Sequence, residues 1–190
     1  MSDPIPSKYS AIEVHKQVLM TVWTLANQEV FRSIADRFGF CNRGMAHYCV
    51  MNTCRRIRSC MYSNTVTWPS TVECAVTAQE IENRYGFPGA AGCLDGCHVP
   101  IKAPAADRDS YVNRKGFTSL NLLAVCDENM KFVFAYSDCP GSMHDARVLQ
   151  MSQLVEKLSS RTFDTERHHF LGDAAYPLLP GLMVPFRDNG

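Results

Sequence analysis

Between residues 10 and 60 the apolar positions return every three or four residues, and beyond residue 90 they alternate or run in short blocks. Ile12, His15, Val18 with Leu19, Val22, and Leu25 with Ala26 lie at helical offsets, so the spacing predicts an amphipathic helix over 10–27. A second helix fits 30–38, with Phe31, Ile34, Ala35 and Phe38 on one face. Gly39 ends it, and Asn42 is placed to cap a third helix over 43–58 that turns Met45, Tyr48, Cys49 and Ile57 inward. The polar stretch 63–70, SNTVTWPS, contains Pro69 and stops the helical run. Residues 71–85 read as one more short helix, on Val72, Val76 and Ile81.

The glycine and proline joint GFPGAAG (86–92) then marks a domain boundary, giving a helical domain over 1–88 and a second domain over 89–190. Gly92 to Lys102 alternates like a strand bent at Gly96. The blocks LNLLAVC (120–126) and KFVFAYS (131–137) are separated by a few polar residues and predict an antiparallel hairpin. Residues 145–158 read as a helix on Val148, Leu149, Leu154, Val155 and Leu158, and HFLGD (169–173) as a short strand. Helices first, then three antiparallel strands, a helix and a further strand make an α+β chain. The order of the second half matches the start of a ribonuclease H-like mixed sheet with flanking helices.

Charge changes the picture locally. The chain has 190 residues, is 46% hydrophobic and 20% charged, and carries 19 basic and 19 acidic side chains. A uniformly basic protein is excluded, and no run approaches the length of a membrane span. Yet 32–58 holds Arg32, Arg37, Arg43, Arg55, Arg56 and Arg58 against Asp36 alone. Arginine forks suit phosphate, and helix, glycine-containing turn, Arg-decorated helix is the order of a helix-turn-helix. In that reading Arg43, His47 and Asn52 meet bases or phosphates, and Arg55, Arg56 and Arg58 track the backbone. The alternatives are a solvated helical face and a plain bundle. Nine cysteines with no apolar leader at the N-terminus point to reduced thiols in an intracellular protein. Cys49, Cys54 and Cys60, and Cys93, Cys97 and His98, cluster without the C-x2-C spacing of zinc sites, so small buried hydrophobes are the expectation.

Asp95 and Asp173 each follow an apolar strand and adjoin a glycine. If their strands are neighbours, the two carboxylates converge, and like charges held together call for a cation between them. Hard divalent ions such as Mg²⁺ take such oxygens, and the chemistry they serve is phosphodiester cleavage. The alternative is that both acids only form turns.

The segments GCLDGCHVPIKAP (92–104), SYVNRKGFTSLNLLAVCD (110–127), CPGSMHDARVL (139–149) and FLGDAAYPLLPGLMVPF (170–186) resemble, in order and spacing, the Harbinger transposase-derived nucleases of the DDE superfamily. IADRFGFCNRGMAHYCVMNTCRRI (34–57) is similar to their N-terminal helix-turn-helix. The resemblance implies a ribonuclease H-like fold, DNA hydrolysis with Mg²⁺ or Mn²⁺, and three acidic ligands. Asp95 matches the first and Asp173 the second, both as catalytic metal ligands. The third is a glutamate on a helix beyond the MVPF segment; the sequence stops at FRDNG, and Asp188 has no helix after it. The expectation is therefore an incomplete ribonuclease H-like domain, either a fragment or a shortened derivative. The resemblance also implies a nuclear protein working with a Myb-like DNA-binding partner, with the cytoplasm open to it when that partner is absent.

Among the other matched residues, Asn113, Arg114 and Lys115 in YVNRKG form a basic loop for DNA phosphate, or a structural turn closed by Gly116. His144 and Asp145 position DNA or water, or Asp145 caps the following helix. His98 lies in reach of the metal shell, or packs in the core. Two functions follow: a metal-dependent endonuclease of transposase origin, or an inactive DNA-binding or partner-binding derivative of one.

Overall fold

The computed structural model describes residues 12–27, 29–160 and 163–186. Asp188, and residues 10 and 11 of the first predicted helix, lie outside them. The chain divides into two compact units, Met1–Thr65 and Val66–Gly190. Among the described residues no helix is long and apolar enough to cross a membrane.

The first unit holds α1 (Val14–Ala26), α2 (Phe31–Arg37) and α3 (Arg43–Thr65). Gly39 ends α2 in the left-handed region at φ 66°, where a Cβ is strained. Asn42 then accepts the Met45 amide at 2.9 Å and starts α3 as expected. Met20, Ile34, Ala35, Ala46, Cys49 and Val50 form the core, ringed by Phe31, Phe38, Phe40 and Met45. Two expectations change here. The face of α1 predicted to turn inward is exposed, with Val22 at 56% and Leu25 at 70%; Met20 and Thr21 are buried instead. The helix is apolar on two sides, and Thr21 and Thr24 satisfy their hydroxyls on the Gln17 and Met20 carbonyls, so these threonines need no water. Helix α3 runs seven residues past Arg58, and Ile57 is exposed, because nothing from 59 to 65 breaks the backbone and nothing covers it.

The second unit begins with α4 (Thr71–Tyr85). Its N-terminus is a capping box: Ser70 Oγ accepts the Glu73 amide, and the Glu73 carboxylate accepts the Ser70 amide at 2.8 Å. Those bonds hold the Glu73 carboxyl below its usual range, the Ser70 backbone N–H contributing most. Val72 and Val76, expected inward, are exposed; Cys74, Thr77, Ala78 and Ile81 are buried. The sequence reading assigns these residues to the helical domain, but α4 packs on β1 (Ala90–Pro100). Thr77 Oγ1 also donates to Glu128 Oε2 at 2.6 Å in the hairpin turn. Apolar burial against the sheet outweighs sequence proximity to the other helices.

After β1 come β2 (Ser119–Cys126) and β3 (Phe132–Pro140), the predicted hairpin, closed by Asp127 accepting the Asn129 and Lys131 amides. The single helix expected over 145–158 is two, α5 (Asp145–Met151) and α6 (Leu154–Leu158). Ser152 divides them: its hydroxyl donates to the Leu149 carbonyl and accepts the Leu154 amide, replacing helical bonds with local ones. Short strands β4 (His169–Leu171) and β5 (Leu182–Met183) complete a mixed sheet in the order β3-β2-β1-β4-β5. β3, β2 and β1 are antiparallel; β4 and β5 run parallel to β1. β1 passes through Gly96 without the predicted bend, keeping register with β2 from Cys93 to Pro100.

The core of this unit centres on Leu94, Leu123, Val125, Val148, Leu149 and Phe170. Trp68, from the polar connector, packs against Phe134, Phe163 and Phe170 with ring centroids 5.3–6.3 Å apart. Trp68→Ala is expected to destabilise this unit by about 3 kcal/mol, because the vacated space is lined by aromatic rings that cannot collapse into it. Ser70→Ala should cost about 1 kcal/mol through the lost cap. Urea unfolding followed by circular dichroism measures both, and equal midpoints for wild type and variants would refute the packing and capping roles.

Candidate active site

Parallel pairing of β1 with β4 sets Cys93 opposite Leu171. Asp95 stands two residues beyond Cys93, and Asp173 two residues beyond Leu171. Asp95 lies within β1, not at its tip as the sequence reading has it, and Asp173 lies past the end of β4, with Gly172 between them. Each carboxylate accepts one nearby amide: Asp95 Oδ1 from Gly96 at 2.7 Å, and Asp173 Oδ1 from Ala175 at 3.0 Å. Each therefore keeps one oxygen without a hydrogen-bond partner among the described residues. Asp173 thus forms a turn and keeps an oxygen open at once. Both residues are exposed.

A third acid lies close by. Asp145 opens α5, but as its first helical residue; the cap position belongs to exposed His144, whose ring makes no capping bond. The Asp145 carboxylate is already engaged. Oδ1 accepts from Asn121 Nδ2 at 2.8 Å, and Oδ2 pairs with the Arg114 guanidinium at 3.7 Å. Asn121 is 1% exposed on β2 and was not singled out by sequence; its signal was an amide inside an apolar strand block.

Tyr176, also missed, is 1% exposed, and its hydroxyl has no hydrogen-bond partner among the described residues. A Cβ added at Gly96 would stand 2.9 Å from Asp145 Oδ1 and 3.1 Å from this hydroxyl. One added at Gly172 would stand 3.3 Å from the Tyr176 ring. The phenol is held far above its usual range by burial first, and then by Asp145, Asp95 and Asp173. It remains a neutral donor at any ordinary pH.

The basic loop divides in two. Asn113 is buried, and its amide works inside the loop: Nδ2 donates to Ser119 Oγ at 2.9 Å, and Oδ1 accepts the Lys115 amide at 2.9 Å. It builds the turn, the structural one of the two roles the sequence left open, and its amide is not free for a DNA phosphate. Arg114 and Lys115 are exposed. His98 shares a hydrogen bond with Ser119 Oγ at 3.2 Å and lies edge-on to Phe117, joining the same loop network.

In the other unit, Arg43, His47, Arg55, Arg56 and Arg58 are all exposed on α3. At about 100° per residue, Arg43, His47, Arg55 and Arg58 fall within an arc of about 120°, and Arg56 lies on the opposite flank of the buried stripe. His47 also meets Phe31 of α2 edge-on at 4.9 Å between ring centroids.

The donor set bears on which ion this chain can hold. All nine cysteines are free thiols. Among the described residues no three His, Cys, Asp or Glu side chains form a metal-binding group. Two carboxylates with one free oxygen each fit Mg²⁺ or Mn²⁺, which fill their remaining positions with water or phosphate.

A family model described as DDE superfamily endonuclease matches residues 94–190. A human protein named "Putative nuclease HARBI1" is 34% identical over 180 residues, covering 92% of this chain and 49% of that protein. The Arabidopsis thaliana "Protein ALP1-like" is 32% identical over 142 residues, covering 64% of this chain and 33% of that protein. The chain thus spans about half the length, or less, of the curated relatives it matches, and no solved structure matches it significantly. With both acids, the glycines beside them and Tyr176 inside the matched segment, the chain belongs to the DDE superfamily endonucleases, in their Harbinger transposase-derived group.

Proposed function

We propose that this chain carries the metal-binding and DNA-contacting half of a transposase-derived endonuclease that hydrolyses DNA phosphodiester bonds. The parallel pairing of β1 with β4 just before Asp95 and Asp173, and the charge of both acids felt at the buried Tyr176 phenol, carry this reading. The order β3-β2-β1-β4-β5, antiparallel then parallel, supports a ribonuclease H-like sheet.

The free oxygens of Asp95 and Asp173 would hold Mg²⁺ or Mn²⁺. When bound, the ion supplies Lewis acidity to activate water and to stabilise the leaving oxygen. Arg114, held by Asp145 beside the acids, is a fork for the phosphate next to the scissile bond, and Lys115 adds a second cation. An exposed pair of this kind is weak, so a phosphate competes for the guanidinium at little cost. In the helical unit, α2, the turn at Gly39 and α3 act as a helix-turn-helix, with Arg43, His47, Arg55 and Arg58 facing DNA. A nuclear location and a Myb-like DNA-binding partner complete the proposal.

A second reading, DNA binding without cleavage, is favoured by one observation: Asp145, the third acid near the site, is committed to Asn121 and Arg114. The two readings separate in one assay. Asp95→Ala and Asp173→Ala are each expected to lower Mn²⁺-dependent nicking of a supercoiled plasmid about a hundredfold or more. Wild-type protein that binds the plasmid but never nicks it with Mn²⁺ supports the second reading. Nicking that survives both substitutions sinks the first.

For the helical unit, replacing Arg43, Arg55 and Arg58 together by Ala should reduce the slope of log affinity against log salt by about 2–3, and Arg56→Ala should barely change it. Fluorescence anisotropy with a labelled duplex measures this. An unchanged slope in the triple variant removes α3 from the DNA interface.

A further inference from the structure

Tyr176 is a buried group whose position the tertiary structure explains. Its ring leaves little room for a Cβ at Gly172, and its hydroxyl leaves little at Gly96. These are the glycines beside Asp173 and Asp95, so one side chain touches the backbone segments that carry both acids. Any side chain at either glycine would displace it. The hydroxyl ends near Asp145 Oδ1, yet no atom of the described residues accepts its proton. A buried hydroxyl without a partner is costly, and phenylalanine would fill the same space without that cost. Retaining the hydroxyl makes physical sense if an acceptor arrives from outside. Asp145 does not take that place: its oxygens meet Asn121 and Arg114, and among the described residues the phenol bonds to neither of them.

We infer that Tyr176 is a positioning residue whose hydroxyl donates a hydrogen bond to an oxygen entering the cleft with the divalent cation. That oxygen belongs either to a water of the cation's hydration shell or to a phosphate of DNA; both are anionic or polarised acceptors that suit a neutral phenol. The Asn121–Asp145 pair keeps the space beneath Gly96 polar, and so keeps the hydroxyl turned toward the acids. The inference rests on the cation-binding role proposed for Asp95 and Asp173.

The test is Tyr176→Phe in the full 190-residue chain, with Mn²⁺ binding measured by titration calorimetry, alone and with a duplex oligonucleotide. Without metal, the thermal midpoint of the variant should equal or exceed that of the wild type, since an unpartnered hydroxyl is removed. A lower midpoint would indicate an ordinary structural role and overturn the inference. Mn²⁺ affinity should fall about tenfold. A fall in the absence of DNA identifies hydration water as the acceptor; a fall only with DNA identifies phosphate. Unchanged affinity in both conditions overturns the inference. Asp95→Asn and Asp173→Asn serve as reference variants. If they too leave Mn²⁺ binding intact, the cation site itself is wrong; if they abolish it and Tyr176→Phe does not matter, only the role of Tyr176 fails.

Discussion

The parallel pairing of β1 with β4 is the contact on which the site depends. It aligns Cys93 with Leu171, which stand two residues before Asp95 and Asp173 and are far apart in sequence. Each acid carries one backbone hydrogen bond and keeps one open oxygen, and both are exposed, so water screens their charge.

Around this pairing the second unit keeps its polar groups on short leashes. Asn121 sits inside a strand that is otherwise apolar and spends its amide on the Met143 carbonyl and on Asp145, tying β2 to the start of α5. Asp145 extends the connection to Arg114, and so to the loop that Asn113 builds from within. His98 and Ser119 connect that loop back to β1. The basic loop is therefore not a loose appendage. It is tied to Asp145 and β1 through an ion pair and hydrogen bonds, with the arginine and lysine heads left to solvent.

Much of this was legible in the chain. The hairpin was encoded by two apolar blocks around a polar turn, and α2 and the start of α3 by Gly39 and Asn42, whose capping chemistry is local. The acids stood out because each adjoins a glycine. The faces of α1 and α4 were misread for one reason: both helices are apolar on more than one side, so period alone cannot choose which side is buried. Helix α4 also follows the connector that seems to close a helical domain, yet Cys74, Ala78 and Ile81 find the sheet. The break at Ser152 was hidden because its neighbours keep helical spacing while its hydroxyl captures the backbone on both sides.

The sequence by itself determined what a few consecutive residues decide: helical and strand periods, caps, the tight turn of the hairpin, and the residue types that chemistry needs. Only the tertiary structure decided which residues became neighbours across long stretches of chain. It brought the charges of Asp95 and Asp173 to bear on Tyr176, set that ring beneath Gly96 and Gly172, and engaged Asp145 with Asn121 and Arg114. It also showed that Gly96 is small for what lies under it and not for a bend in its strand. The physical reason is range. Backbone hydrogen bonds and capping act within one turn or hairpin, whereas strand register and side-chain packing are settled by burying the whole core at once.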